Sequence, residues 1–276
     1  MLKVHHLNCG TIHTNTPYPG VSHCLLLEGD KALTLVDTGF GINDYIHPSR
    51  HVRRFTRISG VPCDVRETAL NQVKATGFEP QDVRHIVMTH LHLDHAGGIA
   101  DFSWAQVHVF RNEYVSALKT RRFSLVDRIG YVDEHLRADI NWMLHSFTGF
   151  KWFGFDAIPV LEQPSYEVFI VPLAGHSRGH CAVAVQLEEG WLLHCGDAYI
   201  RDMQIDIDEP KNPFPIGLRT ISGVLFPPGP IARLRALRRE HGEVIKMFCS
   251  HDRASYAELR GISLDEHIMR PKTGEI

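Results

Sequence analysis

The sequence predicts an α/β protein built from two β-sheets covered by helices. Three observations predict it: β-rich runs cluster near the start, further runs cluster late in the chain, and helical periodicity is interleaved with them. Lys3–Leu7, Cys24–Glu28 and Ala32–Val36 read as opening strands, the last two flanking the turn pair Gly29-Asp30. Asp64 caps a helix predicted to about Thr76, with Val65, Ala69 and Val73 at four-residue spacing and Gly77 as its stop. His85–Thr89 reads as a strand that runs directly into a histidine-rich turn. A strand and helix, Gln106–Phe110 and Asn112–Lys119, come next. Glu167–Leu173, Cys181–Leu187 and Trp191–Cys195 are the later strands. A last helix, Ile231–His241, places Ile231, Leu234 and Leu237 on one face. The strand Val244–Ser250 then delivers His251.

With no internal repeat or linker, the chain reads as one domain over residues 1–276. Residues 120–165 form an aromatic-rich insertion, and the six prolines of 207–230 mark a long loop. A hydrophobic fraction of 43% is ample for a core and excludes a disordered chain. A net charge of -3 gives no basic field, so no nucleic-acid partner is expected. No apolar run approaches the roughly 18 residues of a membrane span. The opening MLKVHHLNCGTIH lacks the apolar core of a secretion signal, so the expected location is cytoplasmic. Six cysteines, none in a C-x-x-C pair, read as buried thiols. Histidine is in surplus, at 19 residues, and only spacing gives that surplus meaning.

The spacing is found in Thr89-His90-Leu91-His92-Leu93-Asp94-His95, four ligand-type side chains in six residues directly after an apolar strand. In an extended segment, His90, His92 and Asp94 face one way, and a turn near Asp94 swings His95 beside them. Gly97 and Gly98 let the backbone turn sharply there. Imidazoles with a carboxylate suit zinc, iron or manganese. Four residues of one turn cannot fill two coordination shells. The chain offers further ligands where predicted strands reach loops: His176, Asp197 and His251.

The order H-x-H-x-D-H, then Gly175-His176-Ser177-Arg178-Gly179-His180, then Gly196-Asp197, then His251 resembles the metallo-β-lactamase-fold hydrolases, and Asp37-Thr38-Gly39 is similar to that family's strand-ending motif. The resemblance covers roughly residues 20–252. It implies an αββα sandwich with two metal ions at its open edge, zinc by default and iron or manganese as alternatives. His90, His92 and His176 would hold one ion; Asp94, His95 and His251 would hold the other; Asp197 would bridge them. Asp37 would orient an imidazole, and His180 would stand behind the ligands.

Such a centre implies hydrolysis by a metal-bridging hydroxide. Asp94 or Asp197 would take the proton, and Tyr199 would donate to the developing oxyanion. His23 reads as a core histidine ahead of a pocket residue. The arginines at 233, 235, 238 and 239 read as a solvated helix face ahead of an anion site. The expected partner is a small-molecule substrate, an ester, lactone or thioester, and the chain is compatible with a homodimer. Asp197 stands where true β-lactamases carry Cys or Ser, which argues against penicillin-type hydrolysis. The small lactonases and the glyoxalase II-like thioesterases are the branches nearest in style. Two alternatives remain: a mononuclear iron oxygenase resembling the persulfide dioxygenases, and a metal-dependent phosphodiesterase. The aromatic stretch 120–165 reads equally as padding of the sandwich and as a pocket wall.

Overall fold

The computed structural model describes residues 2–12, 19–119, 125–137, 139–164, 166–213 and 226–262. Six strands form the first sheet in the order β1 (Lys3–Ile12), β2 (Gly20–Glu28), β3 (Leu33–Val36), β4 (Val83–Val87), β5 (Gln106–Phe110) and β6 (Asn141–His145). β1, β2 and β3 pair antiparallel, whereas β3 through β6 run parallel. A two-stranded ribbon, β7 (Lys151–Trp152) with β8 (Phe155–Asp156), precedes the second sheet. That sheet contains β9 (Ile158–Gln163), β10 (Tyr166–Pro172), β11 (Cys181–Gln186), β12 (Trp191–His194) and β13 (Ile245–Phe248). Its pairs are antiparallel except β12 with β13.

Strand β2 shows why the sheets stack. Leu25 and Leu27 pack into the layer shared with Val168, Ile170, Val183 and Phe248 of the other sheet. Leu26, on its opposite face, packs against Ala69 and Val73 of the helix Ala69–Ala75. The outer face of the second sheet is covered by Leu234 and Leu237 of the helix Pro228–His241. The architecture is therefore αββα, as the family resemblance implies. Strands buried on both faces lose the polar alternation of a half-exposed sheet, which is why β2 is buried almost throughout.

The described part of the aromatic stretch bridges the two sheets. It holds the helical turn Leu125–Gly130, edge strand β6 of the first sheet, the β7–β8 ribbon and edge strand β9 of the second, so it carries the chain from one sheet to the other. Trp152 and Phe155 are buried on the outer face of the second sheet as padding. Short helices at Ile42–Ile46, Arg50–Ile58 and Arg253–Arg260 went unsignalled, and the helix expected from Asp64 is a 3-10 turn, Val65–Glu67, followed by the helix Ala69–Ala75. Half of the Pro-rich loop, residues 214–225, lies outside the described residues. All six cysteines are free thiols, five of them buried. Among the described residues no helix is long and apolar enough to cross a membrane.

Candidate metal centre

Strands β3 and β4 of the first sheet and β10, β12 and β13 of the second end on the same edge of the sandwich, where side chains from their following loops converge. Asp37 follows β3, the histidine-rich turn follows β4, Asp197 follows β12 and His251 follows β13; His176 leaves the end of β10. The turn after β4 is tighter than an extended reading allows. The helix Leu93–Ala96 starts at once, with His92 as its N-cap, so Asp94 swings away from His90 and His92 to the side of His95. Gly97 and Gly98 serve space rather than turning: Gly97 has a helical φ of -58°, and a Cβ there would lie 2.1 Å from Asp44 Oδ2. A Cβ on Gly98 would lie 2.9 Å from the Thr38 carbonyl oxygen.

The seven expected ligands fall into three overlapping groups whose donor atoms lie within 4.8 Å of one another: His90, His92, His176; His90, His95, Asp197; and Asp94, His95, His251. His92 Nδ1 is 3.0 Å from His176 Nε2. Asp197 stands between the groups, Oδ1 at 3.4 Å from His95 Nε2 and Oδ2 at 3.4 Å from His176 Nε2. The same Oδ2 is 3.1 Å from His251 Nε2, which lies 3.6 Å from Asp94 Oδ2.

Ring orientation is fixed from behind. Asp37 accepts the Thr89 N–H at 2.8 Å, the Thr89 hydroxyl at 2.7 Å and the His95 Nδ1–H at 2.9 Å. With its hydroxyl hydrogen committed to Asp37, Thr89 accepts from His90 Nδ1 at 3.0 Å. His251 Nδ1 donates to the Val21 carbonyl at 2.8 Å. Each bond turns an Nε2 lone pair inward, the arrangement metal-ligating histidines use. Asp37 adopts φ 56°, a left-handed conformation that aspartate tolerates.

His90 Nε2, His95 Nε2 and Asp197 Oδ1 are buried without a hydrogen-bond partner. Unpaired buried donors and acceptors are costly, and inward imidazole lone pairs around a carboxylate are the donor set of a divalent transition metal. The residues fit such an ion. Burial, reinforced by the neighbouring histidines, pushes His90 and His92 well below the usual imidazole range, leaving their lone pairs free. Burial also disfavours charge on His95 and His251, but Asp197, with Asp94, outweighs it and raises both. Burial likewise opposes the Asp197 charge, yet His251 and His95 hold its carboxyl well below the usual carboxylate range.

His180 stands behind the ligands: its Nδ1 donates to the Leu173 carbonyl at 3.2 Å and its Nε2 accepts the Asp197 N–H at 2.9 Å. Tyr199 does not join the cluster. Its side chain is fully buried in the layer between the second sheet and the helix Pro228–His241, with Cys195, Cys249, Asp202 and Arg238 as its charged and polar surroundings. Tyr199 follows the tight turn after β12 by two residues, and that turn sends its side chain to the outer layer. His23 is also a core residue, 4.3 Å from the Phe248 ring and 2.9 Å from His6. Arg238 pairs with Asp202 and Arg233 lies over Phe155, so that helix face is committed internally.

Two neighbours went unread in the sequence. Tyr131 packs on His92, ring centroids 4.9 Å apart, and Glu113 accepts the Tyr131 hydroxyl at 2.9 Å. Glu113 looks like an ordinary helix-surface charge; only a helix face carrying buried Ser116 and Ala117 hints otherwise. Phe226, at the described end of the Pro-rich loop, stacks on His176 at 5.6 Å and 14°. Beyond Tyr131 lies a cavity of about 540 Å³ lined by Arg50, His51, Arg128 and Val132. Beyond Phe226 lies one of about 410 Å³ lined by Ile231, Ala232, Gln204 and Arg235.

Residues 17–239 match the family model of the metallo-β-lactamase superfamily. The chain belongs to that superfamily. A Mycobacterium tuberculosis protein named "probable metallo-hydrolase" is 37% identical over 259 residues, covering 91% of this chain and 80% of that protein. An N-acyl homoserine lactonase of Bacillus thuringiensis is 28% identical over 167 residues, 60% of this chain and 58% of the lactonase. The solved structure of an N-acyl homoserine lactone hydrolase, with its product N-hexanoyl-L-homoserine at the catalytic metal centre, superposes with a TM-score of 0.66 at 23% identity. That match covers 93% of this chain and 95% of the other, and shows a shared fold. The protein is a metal-dependent hydrolase of this superfamily.

Proposed function

We propose that this metallo-hydrolase is dinuclear, with two zinc ions, and cleaves a small ester, lactone or thioester. The observation that carries the reading is the Asp197 carboxylate, whose two oxygens lie within 3.4 Å of His95, His176 and His251, residues drawn from both sides of the cluster. The lactonase relatives support the substrate class. His90, His92 and His176 would hold one ion and Asp94, His95 and His251 the other, with the Asp197 carboxylate between the two sets of side chains. When bound, the pair supplies a hydroxide nucleophile near neutral pH and polarises the carbonyl under attack.

The chain's own residues do the rest. Asp37, Thr89 and the Val21 carbonyl hold the imidazoles so that nothing reorients during turnover. Asp94, the more exposed of the two cluster carboxylates, receives at Oδ2 the proton released on attack. Tyr131 and Phe226 flank the histidines and give an acyl chain apolar walls to lie against.

The test is metal content per chain by elemental analysis, followed by a panel of lactones, thioesters and phosphodiesters. About two zinc equivalents with turnover of a lactone or thioester is the expected result. One iron equivalent with oxygen uptake on a thiol substrate, or turnover confined to phosphodiesters, overturns the reading.

A further inference from the structure

The three imidazoles on one side of the centre share a support that lies outside it. Glu113 rises from the helix Arg111–Lys119 into fully buried space. Its Oε1 accepts the Leu91 N–H at 2.9 Å and the Tyr131 hydroxyl at 2.9 Å. Its Oε2 accepts the Ser177 hydroxyl at 2.6 Å and the Gly179 N–H at 3.2 Å. Leu91 separates His90 from His92, Ser177 follows His176, and the Tyr131 ring packs on His92. One carboxylate thus ties together the turn after β4, the turn after β10 and the ring that covers His92. The approach is close: a Cβ on Gly179 would lie 2.1 Å from the Glu113 nitrogen.

The other side of the centre uses different supports. His95 leans on Asp37 and His251 on the Val21 carbonyl. Glu113 meets the turn after β4 at Leu91, between His90 and His92; among the described residues none of its hydrogen bonds goes to Asp94, His95 or His251 themselves.

We infer that Glu113 is a positioning residue that sets the affinity of the ion held by His90, His92 and His176, whereas Asp37, which holds His95 directly and His90 through Thr89, serves both ions. The inference rests on the dinuclear reading. Removing the carboxylate leaves two buried backbone N–H groups unpaired, and the two turns then relax apart, losing the 3.0 Å approach of His92 to His176.

The experiment is zinc titration of metal-depleted protein against a competing chelator, for wild type, Glu113→Ala, Glu113→Gln and Asp37→Asn. Glu113→Ala is expected to weaken one site about 10- to 100-fold and to leave the other unchanged. Glu113→Gln should be milder, because its amide keeps one acceptor oxygen and the Ser177 hydroxyl can turn to accept from its NH2. In a His251→Ala background, which retains the His90 side, Glu113→Ala must weaken the remaining ion by the same factor. Should Glu113→Ala not fold, Tyr131→Phe and Ser177→Ala each remove one donor and should weaken the same site several-fold while sparing the melting temperature of the metal-free protein. Two ions retained with wild-type affinities, or both weakened equally, overturn the inference. A wild-type chain that holds one ion sinks the dinuclear reading instead. Glu113 then stands or falls on whether its removal weakens that ion.

Discussion

His180 Nε2 accepts the backbone N–H of Asp197 at 2.9 Å, so the carboxylate at the middle of the centre hangs from a buried imidazole rather than from its own loop. Burial pushes His180 down to about 3, which keeps that nitrogen an acceptor at any working pH. The contact admits no substituent on the neighbouring residue: Gly196 has φ 53°, and a Cβ there would lie 2.6 Å from His180 Nε2. His180→Phe keeps the ring volume but removes the acceptor. It should lower zinc affinity about 10- to 100-fold and reduce kcat with little change in KM, as read by chelator competition and steady-state kinetics. Wild-type affinity in that variant would remove Asp197's support from the account.

Tyr199 should be dispensable. Its hydroxyl is buried without a hydrogen-bond partner on the outer side of the second sheet. An unpaired buried hydroxyl costs free energy, so Tyr199→Phe should leave kcat within about two-fold and hold or slightly raise the melting temperature. A drop of ten-fold or more in kcat at unchanged stability would return this tyrosine to the reaction.

The motif residues were legible because metal chemistry restricts both residue type and spacing. Three histidines and an aspartate in six positions after an apolar strand are improbable as core packing and natural as a ligand set. The middle strands were legible for a related reason: β5 and β10–β12 are short apolar runs between turn residues. The edge strands β6 and β9 were not. Each has one poorly covered side, and β6 reads Asn-Trp-Met-Leu-His, in which neither period wins. Glu113 and Tyr131 escaped for a deeper reason. Their role exists only when turns from distant parts of the chain meet, and local sequence holds no trace of that meeting. Tyr199 stands two residues from Asp197 in sequence, yet the turn after β12 sends its side chain to the other side of the second sheet, which local sequence does not signal.

Loading the centre should release protons. In the metal-free protein burial disfavours charge on His95 and His251, but Asp197 outweighs it and raises both, so they hold protons at a pH where a free imidazole has lost them. Metal takes the same lone pairs. Zinc added at pH 7 in weak buffer should therefore acidify an indicator by on the order of one proton per chain, and apparent affinity should climb as pH rises. His251→Ala should release less. No release would mean that these imidazoles are already neutral and that Asp197 does not act on them as described.

Acid should destabilise the metal-free fold through its buried histidines. Burial, then the neighbouring histidines, lowers His6 to about 4 and His108 to about 3, the latter wedged between His85 at 3.1 Å and His145 at 2.9 Å. The unfolded chain takes up these protons near pH 6.5 while the folded chain refuses them. Stability is therefore lost as pH falls from 6.5, by up to about 1.4 kcal/mol per pH unit for each such histidine. His95 and His251 add no slope there: their folded values are raised, so both states hold the proton below 6.5 and their contribution fades only at higher pH. Urea midpoints of metal-depleted protein should fall between pH 6.5 and 5, and His108→Phe should make the fall shallower by removing one refusing site. A midpoint that stays level over that interval would mean that water or movement of β6 lets the His85–His108–His145 row take its protons in the folded state.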